Sequence, residues 1–373
     1  MDRLNHDDIN VRLAALEELI KNEPKPESTG NVNNHIHTFY SFSPYSPTKA
    51  VYMARKAGLD TAGIMDHDSV SGCREFLRAG EIAGLPTTVG CECRVSMKGT
   101  RLEGRRINNP DQSSVAYVAI HSIPHKNIEK VAEFFKPYTE KRNQRNRLMT
   151  EKINTLTDVT IDFDKDVLPL SKYQEGGSVT ERHILYALAG KLLEKHDDIV
   201  GYLESIGIPV SEKVKGMLTD PANEVKRYDL LGVLKGYFVK DFYIDADEEC
   251  PHVSDYIKLC NEVGAISAYA YLGDVGDSVT GDKKAQKFED DYLPELFEEL
   301  KAQGFKAVTY MPTRNTLDQL LRLKEFCAKY ELMEISGEDI NSPRQSFICE
   351  ALKNPVFSNL IQAAWDLIEH ERK

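Results

Sequence analysis

Short apolar runs alternate with amphipathic helical segments over residues 31–130, and each periodicity predicts its own kind of element. Four runs are typical of strands: NNHIHT, TAGIMD, PTTVGCECRVSM and SSVAYVAIHSI. Apolar positions at helical spacing predict helices in PTKAVYMARKAG and VSGCREFLRAGEIAG, which lie between the first three runs. Strands that alternate with helices indicate βα units, so this region predicts an α/β fold with a mostly parallel sheet.

The rest of the chain departs from this alternation and then returns to it. Residues 131–255 are mainly helical in pattern, whereas residues 256–347 again alternate strands with helices. This order predicts a helical insertion between two βα parts of one sheet, for which the length permits one large barrel-type domain. Residues 1–30 hold a helix with an apolar stripe and then a linker, and a helix with Trp365 closes the chain. We expect both terminal helices to pack on the barrel exterior. Polar loops are predicted around residues 211–216 and over residues 275–290.

Composition and charge indicate which partners and which cellular compartment to expect. The chain has 373 residues, 41% of them apolar, and 47 basic against 59 acidic residues give a net charge of −12. An acidic surface repels polyanions, which argues against long nucleic acid as a partner. No apolar run approaches the length of a membrane span, and the charged start MDRLNHDD is not a signal pattern. Seven scattered cysteines are typical of a reduced chain, so we expect a cytoplasmic protein.

A His-x-His pair ends the first predicted strand. His35 and His37 alternate along that strand and therefore project to the same side, with Ile36 turned away. Two imidazoles placed in this way can hold one metal ion such as Zn, Fe, Mn or Ni. Two histidines on a solvated strand end are the alternative.

Other metal-competent side chains follow the next strands. His67, flanked by Asp66 and Asp68, ends the second strand, Glu92 lies in the third, and His121 ends the fourth. In closed parallel barrels the active site lies at the carboxyl ends of the strands, so these residues predict a metal site there. Cys91 and Cys93 flank Glu92 and are either soft ligands or, the favoured reading, small buried strand residues.

The motifs HIHTFYS, IMDHDSVSG and GCE, at these separations, resemble the polymerase-and-histidinol-phosphatase (PHP) superfamily. The later blocks RNQRNRLMTEKIN, SVTERHILYAL, EVGAISAYAYLG and ISGEDIN resemble one subgroup of metal-dependent phosphoesterases, and the match runs from about Asn31 to about Phe347. This resemblance implies a distorted (β/α)7-type barrel with a mainly helical insertion domain. The expected units are an N-terminal helix and linker (1–30), the first part of the barrel (31–130), an insertion or cap (131–255), and the second part of the barrel with a C-terminal helix (256–373).

The resemblance also implies a ligand set. His35 and His37 match the first His pair of the family, Glu92 its bridging Glu, and Asp339 the Asp of its final Asp-x-His motif. These four residues make one complete site for a divalent metal (Mn, Zn, Fe or Mg). Three departures from the family reduce the remaining positions: Phe42 for an acidic residue or His, Tyr271 for the His of Ala-His-Pro, and Asn341 for the final His.

A second site stays open in this interpretation. It uses Glu92 and His121 with either a phenol such as Tyr271 or the carboxylate of Asp274. His67 and Asn341 are further candidate ligands. His67 and Asp66 are the candidate catalytic residues: if His67 binds no metal, it is free to act as a general acid or to orient a phosphate.

Supporting and substrate-binding residues follow from the same comparison. Asp66 and Asp68 are expected to hydrogen-bond ligand imidazoles, or Asp68 to cap the next helix. Candidate phosphate contacts are His183, Arg182, Arg344 and Tyr271. For His183 the alternative is packing inside its helix, and for Arg344 a place on a surface loop. The basic run Lys141–Arg147 is either a solvated helix face or a grip on phosphates.

These features together predict metal-dependent hydrolysis of a phosphate ester, with a nucleotide, short oligonucleotide or sugar phosphate as substrate. Two other classes remain open. One is a PHP barrel that has lost ligands and binds a nucleotide or a partner, and the other is a C–N amidohydrolase, because the same chemistry attacks carbonyl carbon. The departures at Phe42, Tyr271 and Asn341 favour the binding module, whereas the intact four-ligand set favours catalysis.

Overall fold

Seven strands form one sheet in sequential order in a computed structural model that describes residues 2–24, 26–275 and 286–372. The strands are β1 (Val32–Ile36), β2 (Thr61–His67), β3 (Thr87–Ser96), β4 (Val115–His121), β5 (Ile266–Ala270), β6 (Ala307–Tyr310) and β7 (Met333–Ser336). A parallel bridge between Ile36 and Ile340 joins the end of β1 to the segment after β7. The sheet is therefore nearly closed into a barrel, which confirms the predicted fold class.

Helices surround the sheet and fill the insertion. They are α1 (Ile9–Asn22), α2 (Pro47–Lys56), α3 (Cys73–Ala83), α4 (Ile128–Ile153), α5 (Glu181–Lys195), α6 (Ile199–Ser205), α7 (Glu212–Thr219), α8 (Lys226–Phe242), α9 (Val253–Val263), α10 (Leu293–Gln303), α11 (Leu317–Tyr330) and α12 (Ser358–Glu371). Within the described ranges, no helix has the length and apolar character that crossing a membrane requires.

One strand runs against the others. β4 pairs antiparallel with both β3 and β5, whereas the remaining neighbours pair in parallel. The prediction of a mostly parallel sheet is correct except at this strand. The reason is visible in residues 97–114, which carry no helical pattern, and parallel strands need a long crossover that is usually helical.

The two largest apolar cores lie one in the barrel and one in the insertion. The long helix α4 serves both, since Val131 and Phe135 pack in the barrel core while Met149 and Ile153 pack in the insertion core. The expected boundary at residue 130 therefore falls inside one continuous helix. Phe42, which precedes α2 in the barrel, belongs to the insertion core and joins the two parts.

One local prediction needs correction: the polar stretch around residues 211–216 is the start of helix α7, where the Ser211 side chain accepts a hydrogen bond from Val214 N. Helix α12 packs against the barrel as expected, through Leu360, Ala364 and Leu367, although Trp365 is 38% exposed. The predicted polar loop over residues 275–290 falls largely on residues 276–285, outside the described residues.

Candidate metal centre

The closure of the barrel places the first candidate ligands. His37 N donates to Ile340 O at 3.0 Å and Ile340 N donates to His35 O at 3.1 Å, so the segment after β7 lies beside the end of β1. Gly337 permits this approach, because a Cβ there would stand 2.5 Å from His35 Cβ. Asp339 consequently reaches His37, with its Oδ1 3.2 Å from His37 Nε2.

Two groups of three side chains can each hold a metal ion, and both include His37. The first is His35, His37 and Asp339, and the second is His37, His67 and Glu92. Glu92 Oε2 lies 3.5 Å from His35 Nε2, 3.7 Å from His37 Nε2 and 3.1 Å from His67 Nδ1. The carboxylate therefore stands between the two groups. The four residues implied by the family resemblance all lie here, and His67 joins them.

The electrostatics suit a cation. Burial raises the pKa of Glu92, but the charges of His35 and His67 outweigh it and hold that pKa at about 2. Burial likewise raises the pKa of Asp339, but the neighbouring His37 imidazole, whose Nε2 lies 3.2 Å from Asp339 Oδ1, brings that pKa well below its usual range. His37 Nε2 is buried without a hydrogen-bond partner among the described residues. An unpaired buried nitrogen among ionised carboxylates is the donor set that a divalent metal requires.

His67 is better placed as a ligand than as an acid. Burial lowers its pKa to about 3, against the opposing charge of Glu92, so the ring is neutral at pH 7. A neutral imidazole can donate a lone pair to a metal, whereas a general acid at pH 7 needs a proton to give away. The expectation of a general acid at His67 therefore finds no support in its surroundings.

Asp66 supports the site without facing it. Its carboxylate accepts hydrogen bonds from Thr38 N, Thr38 Oγ1 and Ser41 Oγ, each at 2.6 Å. Ser41 Oγ lies 3.2 Å from His37 Nδ1, so the carboxylate orients the imidazole through one hydroxyl. This arrangement fixes the ring so that Nε2 points towards the carboxylates. Asp66 is thus a positioning residue rather than a catalytic one.

His121 lies below both groups. Because β4 is antiparallel, its carboxyl end pairs with Ile266 at the start of β5, away from the strand ends that carry the other ligands. Burial lowers the pKa of His121 to about 3, and its Nε2 has no hydrogen-bond partner in the described part of the chain. The structure does not bring His121 into either ligand group.

The other proposed partners of a second site are engaged elsewhere. Tyr271 is buried and its hydroxyl donates to Asp290 Oδ1 at 2.6 Å, so it faces neither metal nor substrate. Asp274 Oδ1 accepts from Phe288 N at 2.7 Å. Asn341 is close to the site, because its Nδ2 donates to Asp339 Oδ1 at 2.5 Å, and it orients that carboxylate.

Two predicted phosphate contacts have structural partners instead. His183 is 2% exposed, its Nδ1 accepts from Thr180 N at 3.0 Å, and its ring meets Phe42 edge-on. This is the packed histidine that the sequence left as an alternative. The guanidinium of Arg344 donates to both oxygens of Asp229, at 2.5 and 2.7 Å, and is therefore already occupied.

The basic run of α4 is also paired. Lys141 and Arg147 form exposed ion pairs with acidic residues, while Arg142 and Arg145 are buried in an ion network. Neither a solvated face nor a phosphate grip describes the whole run. Cys91 and Cys93 are buried in β3, and burial raises the pKa of both thiols well above its usual range. They are strand residues and belong to neither ligand group.

Three cations near Asp339 form no ion pair with a described residue: Arg182, Lys235 and Arg314. Arg182 Nη1 donates to Asn341 O at 3.5 Å. Lys235, on α8, is exposed, and the positive charge of nearby Arg182 is the main cause that lowers the pKa of Lys235 to about 8. Arg314, in the loop after β6, is also exposed and lies within reach of the charge of Asp339.

Sequence reasoning found Arg182 but missed the other two cations. Lys235 lies in a helix with many polar residues, and Arg314 follows a strand without any motif around it. The one available signal was that Arg314 follows β6, since the loops at the carboxyl ends of barrel strands line the site.

Comparison with known proteins agrees with this fold. Residues 33–206 match the model of the PHP domain family. One similar structure is a candidate metal-dependent phosphoesterase from Bifidobacterium adolescentis, with a TM-score of 0.56 and 19% identity over 90% of this chain and 98% of that one. Another is an amidohydrolase from Chromobacterium violaceum, solved with sulfate and no metal, with a TM-score of 0.57 and 17% identity over 86% of this chain and 90% of that one. No curated protein matches the chain.

Proposed function

We propose that this chain, of which residues 33–206 match the model of the PHP domain family, is a metal-dependent phosphoesterase that hydrolyses a small phosphate ester. A nucleotide, a short oligonucleotide or a sugar phosphate has the required chemistry. One observation carries the proposal: a cluster of three imidazoles and two carboxylates lies beside three cations that pair with no described carboxylate. A metal ion and an anion-binding wall are the two parts that phosphate-ester hydrolysis needs.

The residues of the chain divide this work among them. His35, His37, His67, Glu92 and Asp339 would hold the divalent ion, which when bound would supply a water of lowered pKa and a positive charge for a phosphoryl oxygen. Glu92 and Asp339 supply the negative charge that holds the cation, and Asp66 keeps the His37 ring in place through Ser41. Arg182 offers a planar guanidinium that matches two phosphate oxygens. Lys235 and Arg314 add positive charge from the insertion and from the barrel.

The test is turnover by metal-free protein before and after addition of Mn²⁺. The substrates are p-nitrophenyl phosphate, mononucleotides, a dinucleotide and a long single strand, each at low and raised salt. We expect Mn²⁺-dependent turnover of the small esters that survives moderate salt and is lost in His37→Ala. His6→Ala is the matched control, because His6 is exposed and far along the chain from the cluster.

Other outcomes identify the other classes. A preference for the long strand that falls steeply with salt would indicate a nuclease, since each neutralised phosphate releases about one counterion. Turnover of an amide but not of phosphate esters would indicate a C–N hydrolase. Binding of a nucleotide without turnover, in protein that holds Mn²⁺, would indicate a binding module.

A further inference from the structure

A buried ion network joins the insertion to the strand that ends in His67. It contains three arginines and three carboxylates, so its formal charges balance: Arg94, Arg142, Arg145, Asp68, Glu181 and Glu249. Arg94 and Asp68 come from the barrel, whereas Arg142 and Arg145 come from α4 and Glu181 from the start of α5. None of the functions assigned above uses this network.

The network is tightly connected. Glu181 Oε1 accepts from Arg145 Nη2 at 2.7 Å, and Glu181 Oε2 lies 3.5 Å from Arg142 Nη2. Arg145 Nε donates to Glu249 Oε2 at 2.6 Å, and Arg94 pairs with the other oxygen of Glu249. Each arginine side chain is at most 7% exposed. Removal of one member therefore leaves an uncompensated charge inside the protein.

The network meets the metal centre at Asp68, the residue after His67. Arg142 Nη1 pairs with Asp68 Oδ2, and Asp68 N donates to Glu92 O at 2.8 Å. Asp68 holds a φ of +50°, a left-handed conformation that non-glycine residues rarely adopt and that surrounding contacts must maintain. The pairing with Arg142 is such a contact.

The insertion holds the same strand end from a second side. Ser178 Oγ donates to the carbonyl of His67 at 2.6 Å, and Ser69 Oγ donates to Gly176 O at 2.8 Å. His67 is thus fixed through its own carbonyl and through the residue that follows it. The two hydrogen bonds come from the segment that leads into α5, and the ion pair with Asp68 comes from α4, so all three contacts are made by the insertion.

We infer that the Asp68–Arg142 pair is a positioning device that couples the seating of the insertion to the geometry of the His67 and Glu92 side chains. This inference rests on the proposed metal-dependent function only where it is tested by Mn²⁺ affinity; its test by hydrogen exchange needs no metal. When the pair is intact, the backbone at Asp68 is locked and His67 Nδ1 stays 3.1 Å from Glu92. When the pair is broken, the strand end loosens although every ligand is still present.

The experiment uses full-length Asp68→Asn, Arg142→Lys and Arg142→Met, with Arg147→Met as control. Arg147 lies on the same helix but pairs with Asp164 at the surface. The first readout is hydrogen exchange of the segment 64–71 in metal-free protein. The second is the affinity for Mn²⁺, because supporting contacts of metal ligands are worth about 10- to 100-fold in metal affinity.

We expect Arg142→Met and Asp68→Asn to speed exchange in this segment at least about tenfold and to weaken Mn²⁺ binding about tenfold. Arg142→Lys should recover part of both, and Arg147→Met should change neither. A lower melting temperature with exchange and Mn²⁺ affinity both within twofold of wild type would overturn the inference and leave a purely structural network. If Arg142→Met does not fold, Asp68→Asn and Arg142→Lys decide. If the wild type binds no Mn²⁺, the proposed function fails, and the exchange readout alone decides the inference.

Discussion

The shared ligand His37 limits how many ions the cluster can bind tightly. Its Nε2 faces both Glu92, at 3.7 Å, and Asp339, at 3.2 Å, whereas its Nδ1 lies against Ser41. A neutral imidazole has one nitrogen lone pair to give, so Nε2 can bind one metal at a time. We therefore expect one tightly bound divalent ion per chain. Any second ion would be held only by the two remaining side chains of the other group, so it should bind more weakly.

Three variants separate the two groups. His37→Ala removes a ligand from both groups and should abolish the tight ion. Asp339→Ala removes a ligand from the first group only, and His67→Ala from the second only. The tight ion should be retained in at least one of these two variants. If Asp339→Ala weakens its binding more, the ion prefers the first group, and if His67→Ala weakens it more, the ion prefers the second group.

Binding of the tight ion can be measured by the rise in melting temperature as well as by metal analysis. Mn²⁺ at 100 times its dissociation constant stabilises the folded state by about 2.7 kcal/mol. For 373 residues, an unfolding entropy of about 2.1 cal/mol/K per residue gives about 0.8 kcal/mol/K in total. The melting temperature should therefore rise by about 3 °C in the wild type, and not in His37→Ala. Two equally tight ions in the wild type, or a tight ion retained by His37→Ala, would refute the reasoning.

The remaining predictions concern residues around the centre. Lys235→Met should raise KM for a phosphate ester about tenfold, a loss of about 1.4 kcal/mol, and keep the metal, while Lys240→Met on the same helix should not. In the wild type KM should rise above pH 8, because the pKa of Lys235 is about 8 and its charge is lost there. Arg12→Met should cost about 3–5 kcal/mol in urea unfolding, because it leaves Glu75 buried and unpaired, with turnover per folded molecule unchanged. His183→Ala should likewise lower the melting temperature and leave turnover per folded molecule unchanged.

Much of the fold followed from local pattern. The alternation of strand and helix before residue 130 and after residue 255 was enough to predict βα units, a mostly parallel sheet and a helical interruption, whereas the barrel itself was implied by the resemblance to the PHP superfamily. The exception was β4, where the prediction relied on the spacing of strands and overlooked the absence of a helix before it. Residues 97–114 contain the missing signal, because a connection without a helix favours an antiparallel neighbour.

For the candidate site, the metal ligands could be predicted from the sequence but the partners of the arginines could not. His35, His37, Glu92 and Asp339 were found because their residue types and order resemble a family motif, and the barrel closure brings them together. The partners of the arginines were not predictable, because ion pairs form between residues far apart in the chain. Arg344 and Arg142 look alike in the sequence, yet Asp229 occupies one at the surface and Asp68 the other in the interior.

The net charge of −12 and the proposed anionic substrate are compatible because the field at a cleft depends on which charges are neutralised locally. The carboxylates nearest the site do not repel an anion freely: Glu181 and Glu249 are paired with buried arginines, and Glu92 and Asp339 face the imidazoles. The cations Arg182, Lys235 and Arg314 have no such partners among the described residues, so their charge is available to a ligand. For the proposed function, we expect the same balance to favour a small ester. A longer polyanion would extend beyond these three side chains and meet a chain of net charge −12.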